Sequence, residues 1–283
     1  MSKKIIAISW SHHHAPLNFR DTLALSKREI QEYLHLSLDK KYIVELAALP
    51  TCNRIEFYSL ARNSEHVFIA IKNLYENILK RSIPWHESAP KIYAGMEAVQ
   101  HIFRIAAGME SMVLGENQIV SQVQVAGKIL VNSQPDSDVL SKLFNDAVYC
   151  AQTVRIDIPL FTGPTSISEL AVKTAEKIYN DLDQRKVVLI GAGRTAALTA
   201  RYFKESGVNN IIIANRGEKR GRVLAEAISA DYINICHINK FLRECDIVVT
   251  ATHAGNYMLN SQQIETIMSK RKKKLLLIDL STP

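Results

Sequence analysis

The sequence predicts two unlike folded units in series: an α+β unit over residues 1–160 and a parallel α/β unit over residues 161–283. Three observations carry this expectation. The apolar run Tyr42 to Leu49 and the alternating Ile55 and Phe57 flank a short polar loop, a pattern of strand, loop, strand. In the second half Lys186-Val187-Val188-Leu189-Ile190 runs into Gly191-Ala192-Gly193-Arg194-Thr195-Ala196, which reads as strand, glycine turn, helix. Between them Pro159 to Thr165, rich in Pro, Gly and Thr, is the best linker.

In chain order, Lys4 to Trp10 reads as a first strand ending in the polar His12-His13-His14 loop. Adjacent histidines point in different directions, whereas metal ligands usually converge, so the loop is expected to hold no metal. Ser26-Lys27-Arg28-Glu29 has capping-box form and opens an amphipathic helix through Leu38. His66 to Leu79 carries apolar residues at helical spacing. From Met96 the chain reads as helix, with Val99, Ile102, Phe103 and Ala106 on one stripe and Gly108 as the stop. His101 lies beside that stripe, where a hydrogen-bonded structural histidine is the plain reading. After a second break at Gly115, another helix spans about Ile119 to Leu130, with Glu116, Gln118 and Gln122 around its start. These are either helix-dipole partners or the walls of an amino-acid pocket. Val139 to Val154 is a further helix, and about Ser168 to Asp181 leads into the second unit.

There the G-x-G-x-x-A form, Gly191 to Ala196, lets backbone amides approach a pyrophosphate at a helix N-terminus. Strands at Asn210 to Ala214, Asp246 to Thr250 and Leu275 to Leu280 follow with helices between them, so the unit is of Rossmann type. Where NAD enzymes place Asp or Glu for the ribose 2′-hydroxyl, this chain has Asn215-Arg216, with Lys219 and Arg220 close behind. The missing carboxylate and the added cations point to a 2′-phosphate, hence NADP; a solvated basic helix start is the plainer alternative. The run Lys270 to Lys274 reads as a solvated helix C-terminus or a phosphate-backbone contact.

At 47% hydrophobic the chain has ample apolar content for two cores. The net charge of +7, from 35 Lys and Arg against 28 Asp and Glu, suits a polyanionic partner without requiring one. Four scattered cysteines lack both metal spacing and a disulfide framework, which favours a reducing cytosol. Lys3-Lys4 precedes only a short apolar strand, unlike a signal peptide, and no apolar run reaches the roughly 20 residues of a membrane span. A soluble cytoplasmic protein is expected.

The chemistry concentrates in Thr51-Cys52-Asn53-Arg54, where a hydroxyl, a thiol, an amide and a guanidinium fall within four residues. Cys52 is either a small buried hydrophobe, the usual fate of a free cysteine, or a nucleophile. Arg54 could favour its thiolate or grip a substrate carboxylate in a two-pronged geometry. A nucleophilic thiol beside NADPH suggests acyl reduction, since a thioester accepts hydride where a free carboxylate does not.

Thr51-Cys52-Asn53-Arg54 resembles the signature of the glutamyl-tRNA reductase family. Ser11-His12-His13-His14-Ala15-Pro16 resembles its N-terminal Asn-His-x-x-Ala-Pro loop, and His101 to Ile119 resembles its longest motif almost residue for residue. The resemblance implies that Cys52 attacks the ester joining glutamate to tRNA, and that the resulting thioester is reduced by NADPH to glutamate-1-semialdehyde, on the route to tetrapyrroles. It implies a histidine important for activity at His101, a carboxylate clamp at Arg54, and substrate contacts at Thr51, Asn53, Ser111, Glu116, Asn117, Gln118 and Gln122. Cofactor contacts fall on Gly191, Ala192, Gly193, Arg194, Thr195, Ala196, Asn215 and Arg216. It also implies a channelling contact with the next enzyme, glutamate-1-semialdehyde aminomutase.

Three departures stand out. Pro50 occupies a position usually Ser, which stiffens the loop, and Asn117 replaces a usual Pro. Family members also continue past Asp279-Leu280-Ser281-Thr282-Pro283 into a spine helix and a homodimerisation domain, neither of which lies in this sequence. Two other classes stay open. One is a non-catalytic tRNA-binding or regulatory relative, which the intact Cys52, Arg54 and His101 argue against. The other is a small-molecule NADP dehydrogenase with a structural Cys52, which leaves the first 160 residues unexplained.

Overall fold

Alternation along one hairpin organises the first unit. In the computed structural model, which describes residues 2–116, 118–157, 164, 166–252 and 257–281, strands β2 (Ile43–Pro50) and β3 (Arg54–Ala61) pair antiparallel. β1 (Lys4–Ser11) pairs β3 on its other edge, and β4 (Lys91–Ala94) pairs β1, giving the order β2-β3-β1-β4. Side chains alternate across such a sheet. Ile6, Ile8, Trp10, Ile55 and Phe57 therefore enter one core with residues of helices α1 (Leu17–Thr22), α2 (Lys27–Tyr33) and α3 (Ser64–Asn73). Ala7, Ala47, Leu49 and Tyr58 enter a second core on the opposite face, with residues of α4 (Met96–Ala106), α5 (Gln118–Ser133) and α6 (Asp138–Asp157).

The capping box at Ser26 forms as expected. The Ser26 hydroxyl accepts from the Glu29 N–H at 3.2 Å, and the Glu29 carboxylate accepts from the Ser26 N–H at 2.7 Å. The helix is shorter than its pattern, giving way to a 3₁₀ turn at Leu34–Ser37. Gly108 stops α4 as expected, at φ +79°, where the Met109 N–H reaches back to the Arg104 carbonyl at 2.9 Å. α1 and β4 were not expected: six and four residues are too short for a period to register.

The second unit is a five-stranded, wholly parallel sheet. Its strands are β5 (Val187–Ile190), β6 (Ile211–Asn215), β7 (Asp231–Asn234), β8 (Ile247–Thr250) and β9 (Leu276–Asp279), in the order β7-β6-β5-β8-β9. The central strands read as continuous apolar runs because both faces are covered. Helices α7 (Ile167–Ile178), α8 (Arg194–Glu205), α9 (Glu218–Ala227), α10 (Ile238–Leu242) and α11 (Ser261–Met268) complete the unit. α7 is capped by Ser166, whose hydroxyl accepts from the Glu169 N–H at 3.1 Å.

The compact units are Met1–Gly163 and Pro164–Pro283. Apart from Pro164, the expected linker Pro159 to Thr165 lies outside the described residues, as does Asn117. Among the described residues no helix is long and apolar enough to cross a membrane.

Candidate active site and nucleotide cleft

The alternation that sends Ile55 and Phe57 into one core sends Arg54, Glu56 and Tyr58 to the other face, towards α4. Register places Ser9 of β1 directly opposite Glu56. Glu56 has no solvent exposure, and Arg54 and His101 are only 2% and 6% exposed. Four donors converge on the Glu56 carboxylate. Oε1 accepts from Ser9 Oγ at 3.0 Å and Arg54 Nη1 at 3.1 Å, and Oε2 accepts from Tyr58 OH at 2.6 Å. His101 Nε2 lies 3.2 and 3.1 Å from the two oxygens. Burial opposes the carboxylate charge, but His101, Arg54 and Tyr58 outweigh it and bring the Glu56 pKa down to about 2. An ionised carboxylate only accepts, so Nε2 of His101 carries its proton and Nδ1 faces elsewhere. Tyr93 of β4 stacks on the imidazole at 3.9 Å and 18°, fixing its plane. Glu56, Tyr58, Ser9 and Tyr93 were not expected at a site. Their signal was present only as polar residues inside an otherwise apolar alternation.

Cys52 is exposed, on the loop between β2 and β3. The loop is built by its own side chains: Thr51 Oγ1 accepts from the N–H groups of Asn53 and Arg54, both at 3.1 Å, closing a tight turn. The His12 N–H donates to the Asn53 carbonyl at 2.9 Å. Arg20 of α1, also unforeseen, donates from Nη1 to the Cys52 carbonyl at 2.8 Å.

Arg54 pulls the Cys52 thiol towards the thiolate as expected, but it does not prevail. Crowding by the surrounding protein raises the thiol above its ordinary value, and the Glu116 carboxylate adds repulsion; Arg20 and Arg54 pull the other way and are outweighed. Arg54 is already engaged, through Nη1 with Glu56 and through Nη2 with the Glu110 carbonyl.

Glu116 is half-buried, and desolvation raises its pKa despite the pull of Arg54. It ends a loop pinched shut by two glycines in left-handed backbone, Gly108 at φ +79° and Gly115 at φ +77°. The Gly115 N–H donates to the Gly108 carbonyl at 3.0 Å, and a Cβ on Gly108 would sit 2.8 Å from the Gly115 Cα. Ser111 belongs to this loop, and the half-buried Gln118 and Gln122 open α5 beyond it. The same loop carries Glu110, whose carboxylate accepts from Arg104 Nε at 2.7 Å. In the histidine loop, His14 bonds Ser11 and the Ser9 carbonyl, at 3.2 and 3.1 Å. His12 Nδ1 is buried without a partner. Among the described residues no group of three or more His, Cys, Asp and Glu is placed to hold a metal.

In the second unit, a cleft of about 730 Å³ opens at the carboxyl ends of β5 and β6. Gly191 to Thr195, Asn215 and Arg216 all line it, together with Lys219 and Arg220. Ala196, the last motif residue, is fully buried in the core beneath. Gly191 sits at φ +120°, and a Cβ there would lie 2.3 Å from the Ala251 carbonyl oxygen; only glycine lets the two strand ends approach so closely. Gly193 is different: a Cβ there meets nothing within 4 Å. Open space at the N-terminus of α8, ringed by cations, fits a dinucleotide phosphate. Of the basic run, Arg271 is structural, donating to the carbonyls of Leu242 and Cys245 at 2.6 and 2.7 Å, whereas Lys272 to Lys274 are exposed.

Comparison with known proteins agrees with this division. A family model described as "Glutamyl-tRNAGlu reductase, N-terminal domain" matches residues 8–158, and one described as "Shikimate / quinate 5-dehydrogenase" matches residues 173–283. Glutamyl-tRNA reductase of Thermodesulfovibrio yellowstonii is 30% identical over 287 residues, covering 99% of this chain and 67% of that protein. The Moorella thermoacetica enzyme is 31% identical over 281 residues, covering 99% and 64%. The solved structure of glutamyl-tRNA reductase from Methanopyrus kandleri has the same fold, with a TM-score of 0.52 at 23% identity, over 96% of this chain and 65% of that one. The chain thus spans about two thirds of the length of these relatives. With its N-terminal family model matched over more than half of its length, the chain belongs to the glutamyl-tRNA reductase family.

Proposed function

We propose that the chain carries out the NADPH-dependent reduction of glutamyl-tRNA to glutamate-1-semialdehyde, on the five-carbon route to 5-aminolevulinate and tetrapyrroles. The observation that carries this reading is an exposed Cys52 on a self-braced loop, backed by the buried Arg54–Glu56–His101 network. Cys52 Sγ, as thiolate, attacks the carbonyl carbon of the ester. The C–S bond forms, the C–O bond to the terminal ribose breaks, and the ribose oxygen leaves with a proton. The proton is the one the Cys52 thiol gave up on becoming thiolate, and the role assigned to His101 is to carry it through Nδ1, since Nε2 is held by Glu56. NADPH, when bound, supplies the hydride that converts the thioester into the aldehyde and returns the thiolate.

Gly191 to Thr195 cradle the cofactor phosphates, with Ala196 packed beneath them, and Asn215 and Arg216, with Lys219 and Arg220, receive the 2′-phosphate. Thr51 and Asn53 shape the nucleophile loop. Ser111, Glu116, Asn117, Gln118 and Gln122 contact the glutamyl group, with Arg54 beside them. A cytoplasmic setting and handover of the reactive aldehyde to an aminomutase belong to the same proposed reading.

The test is to mix the chain with tRNA carrying labelled glutamate, without NADPH. Label on the protein that survives denaturation, is released by hydroxylamine and is absent in Cys52→Ser is the expected result. No label on folded protein would sink the catalytic reading and favour a role in tRNA binding alone.

A further inference from the structure

We propose that Arg20 is a positioning residue for Cys52, anchoring the nucleophile loop by its backbone and supplying the cation that holds the thiolate. The proposal deepens the reading of Cys52 as nucleophile, but its test uses no tRNA, so the two can fail separately.

Arg20 is 8% exposed, in the last turn of α1. Its two assigned hydrogen bonds both go to carbonyls: Nη1 to Cys52 at 2.8 Å and Nε to Ala15 at 3.2 Å. Among the described residues it forms no ion pair within 4 Å. A guanidinium bound only to carbonyls keeps its full charge, and here that charge is tethered to the nucleophile's own backbone. Arg54, two positions after Cys52, is committed to the Glu56 carboxylate at 3.1 Å, which cancels much of its field.

The groups facing the thiol act in opposite directions. Glu116, at the end of the glycine-pinched loop, repels the thiolate, while Arg20 and Arg54 attract it. His12, which hydrogen-bonds the loop at Asn53, is pushed down to about 4 by burial and by His13, Arg54 and Arg20. It is therefore neutral near pH 7 and adds no charge. Asp21, next to Arg20 in sequence, is exposed but is the strongest charge acting on Arg20 and draws off part of its field.

The experiment measures the pH dependence of iodoacetamide alkylation, read by peptide mass spectrometry on the full 283-residue chain. The Cys52 thiol releases its proton to solvent, and the thiolate attacks the methylene carbon. The C–S bond forms and iodide leaves. Exposed Cys236, in the second unit, is the internal control. In Arg20→Met the Cys52 midpoint is expected to rise by about one pH unit, as for the loss of an opposite charge at close range, with Cys236 unmoved. Arg20→Lys, which keeps the charge, should retain most of the wild-type midpoint. If Arg20→Met does not fold, Arg20→Gln gives the same comparison with a polar side chain. An unmoved Cys52 midpoint in the folded neutral variant, or an equal rise in Arg20→Lys, overturns the proposal. A merely structural arginine would alter melting without shifting the thiol.

Discussion

A carboxylate with no solvent exposure ordinarily takes up a proton; Glu56 stays ionised because Ser9, Arg54, Tyr58 and His101 all address it. Such a buried network fixes geometry more than it stabilises the fold, and removing one member is costly because the others are left unpaired. Glu56→Gln leaves the Arg54 charge buried without its partner and is expected to cost about 3–5 kcal/mol. Both tryptophans, Trp10 and Trp85, lie in the first unit, so their fluorescence in a urea titration reads that loss directly. His12 gives the pH signature. Its folded-state pKa of about 4 lies below its ordinary 6.5, so between these values the unfolded chain binds the proton first. Stability of the first unit therefore falls as pH drops from 6.5 towards 4, and His12→Gln should flatten that slope in the same fluorescence assay. Neither residue's role was legible in the sequence. A Glu two positions after an Arg in a strand reads as an ordinary surface pair until the opposite face is known to be covered by a helix.

The glycine turn after β5 separates fold from function at the level of one element. Gly191→Ala would force a Cβ into the Ala251 carbonyl at a φ that alanine rarely adopts, and should destabilise the second unit by at least about 1–3 kcal/mol. Gly193→Ala meets no protein atom and has φ −88°, so thermal melting should be unchanged or raised by less than about 1 kcal/mol. It nevertheless fills space beside the α8 N-terminus, and NADPH affinity, measured by fluorescence titration, should fall about tenfold or more, since close backbone approach to the pyrophosphate is what this glycine supplies. Comparable NADPH affinity in Gly193→Ala would remove the phosphate from this turn. Elements with a long period or a strong cap were legible: the capping box at Ser26, the stop at Gly108, the strand before Gly191. Short elements such as α1 and β4 were not, because their positions are set by what they pair with rather than by their own pattern.

At the scale of the molecule, a net charge of +7 suits the polyanionic phosphodiester backbone of the proposed tRNA substrate. Binding of glutamyl-tRNA, followed by filter retention, is expected to weaken by at least about tenfold between roughly 50 and 200 mM salt, as counterion release demands. A flat response would mean that the glutamyl group alone carries recognition. The sequence by itself determined the two-unit order, the parallel sheet, the thiol loop and the glycine turn with its cations. Each of these is written in local periodicity or in residues a few positions apart. Only the tertiary structure decided that Arg54 is tied to Glu56, that Arg20 reaches the Cys52 carbonyl from 32 positions away, and that Gly108 and Gly115 close one loop. Arg54 and Glu56 share β3, and Gly108 and Gly115 share one loop, but whether such near neighbours bond depends on the face that packing covers, and no local pattern encodes which side chains a sheet register and a packed helix will bring to one point.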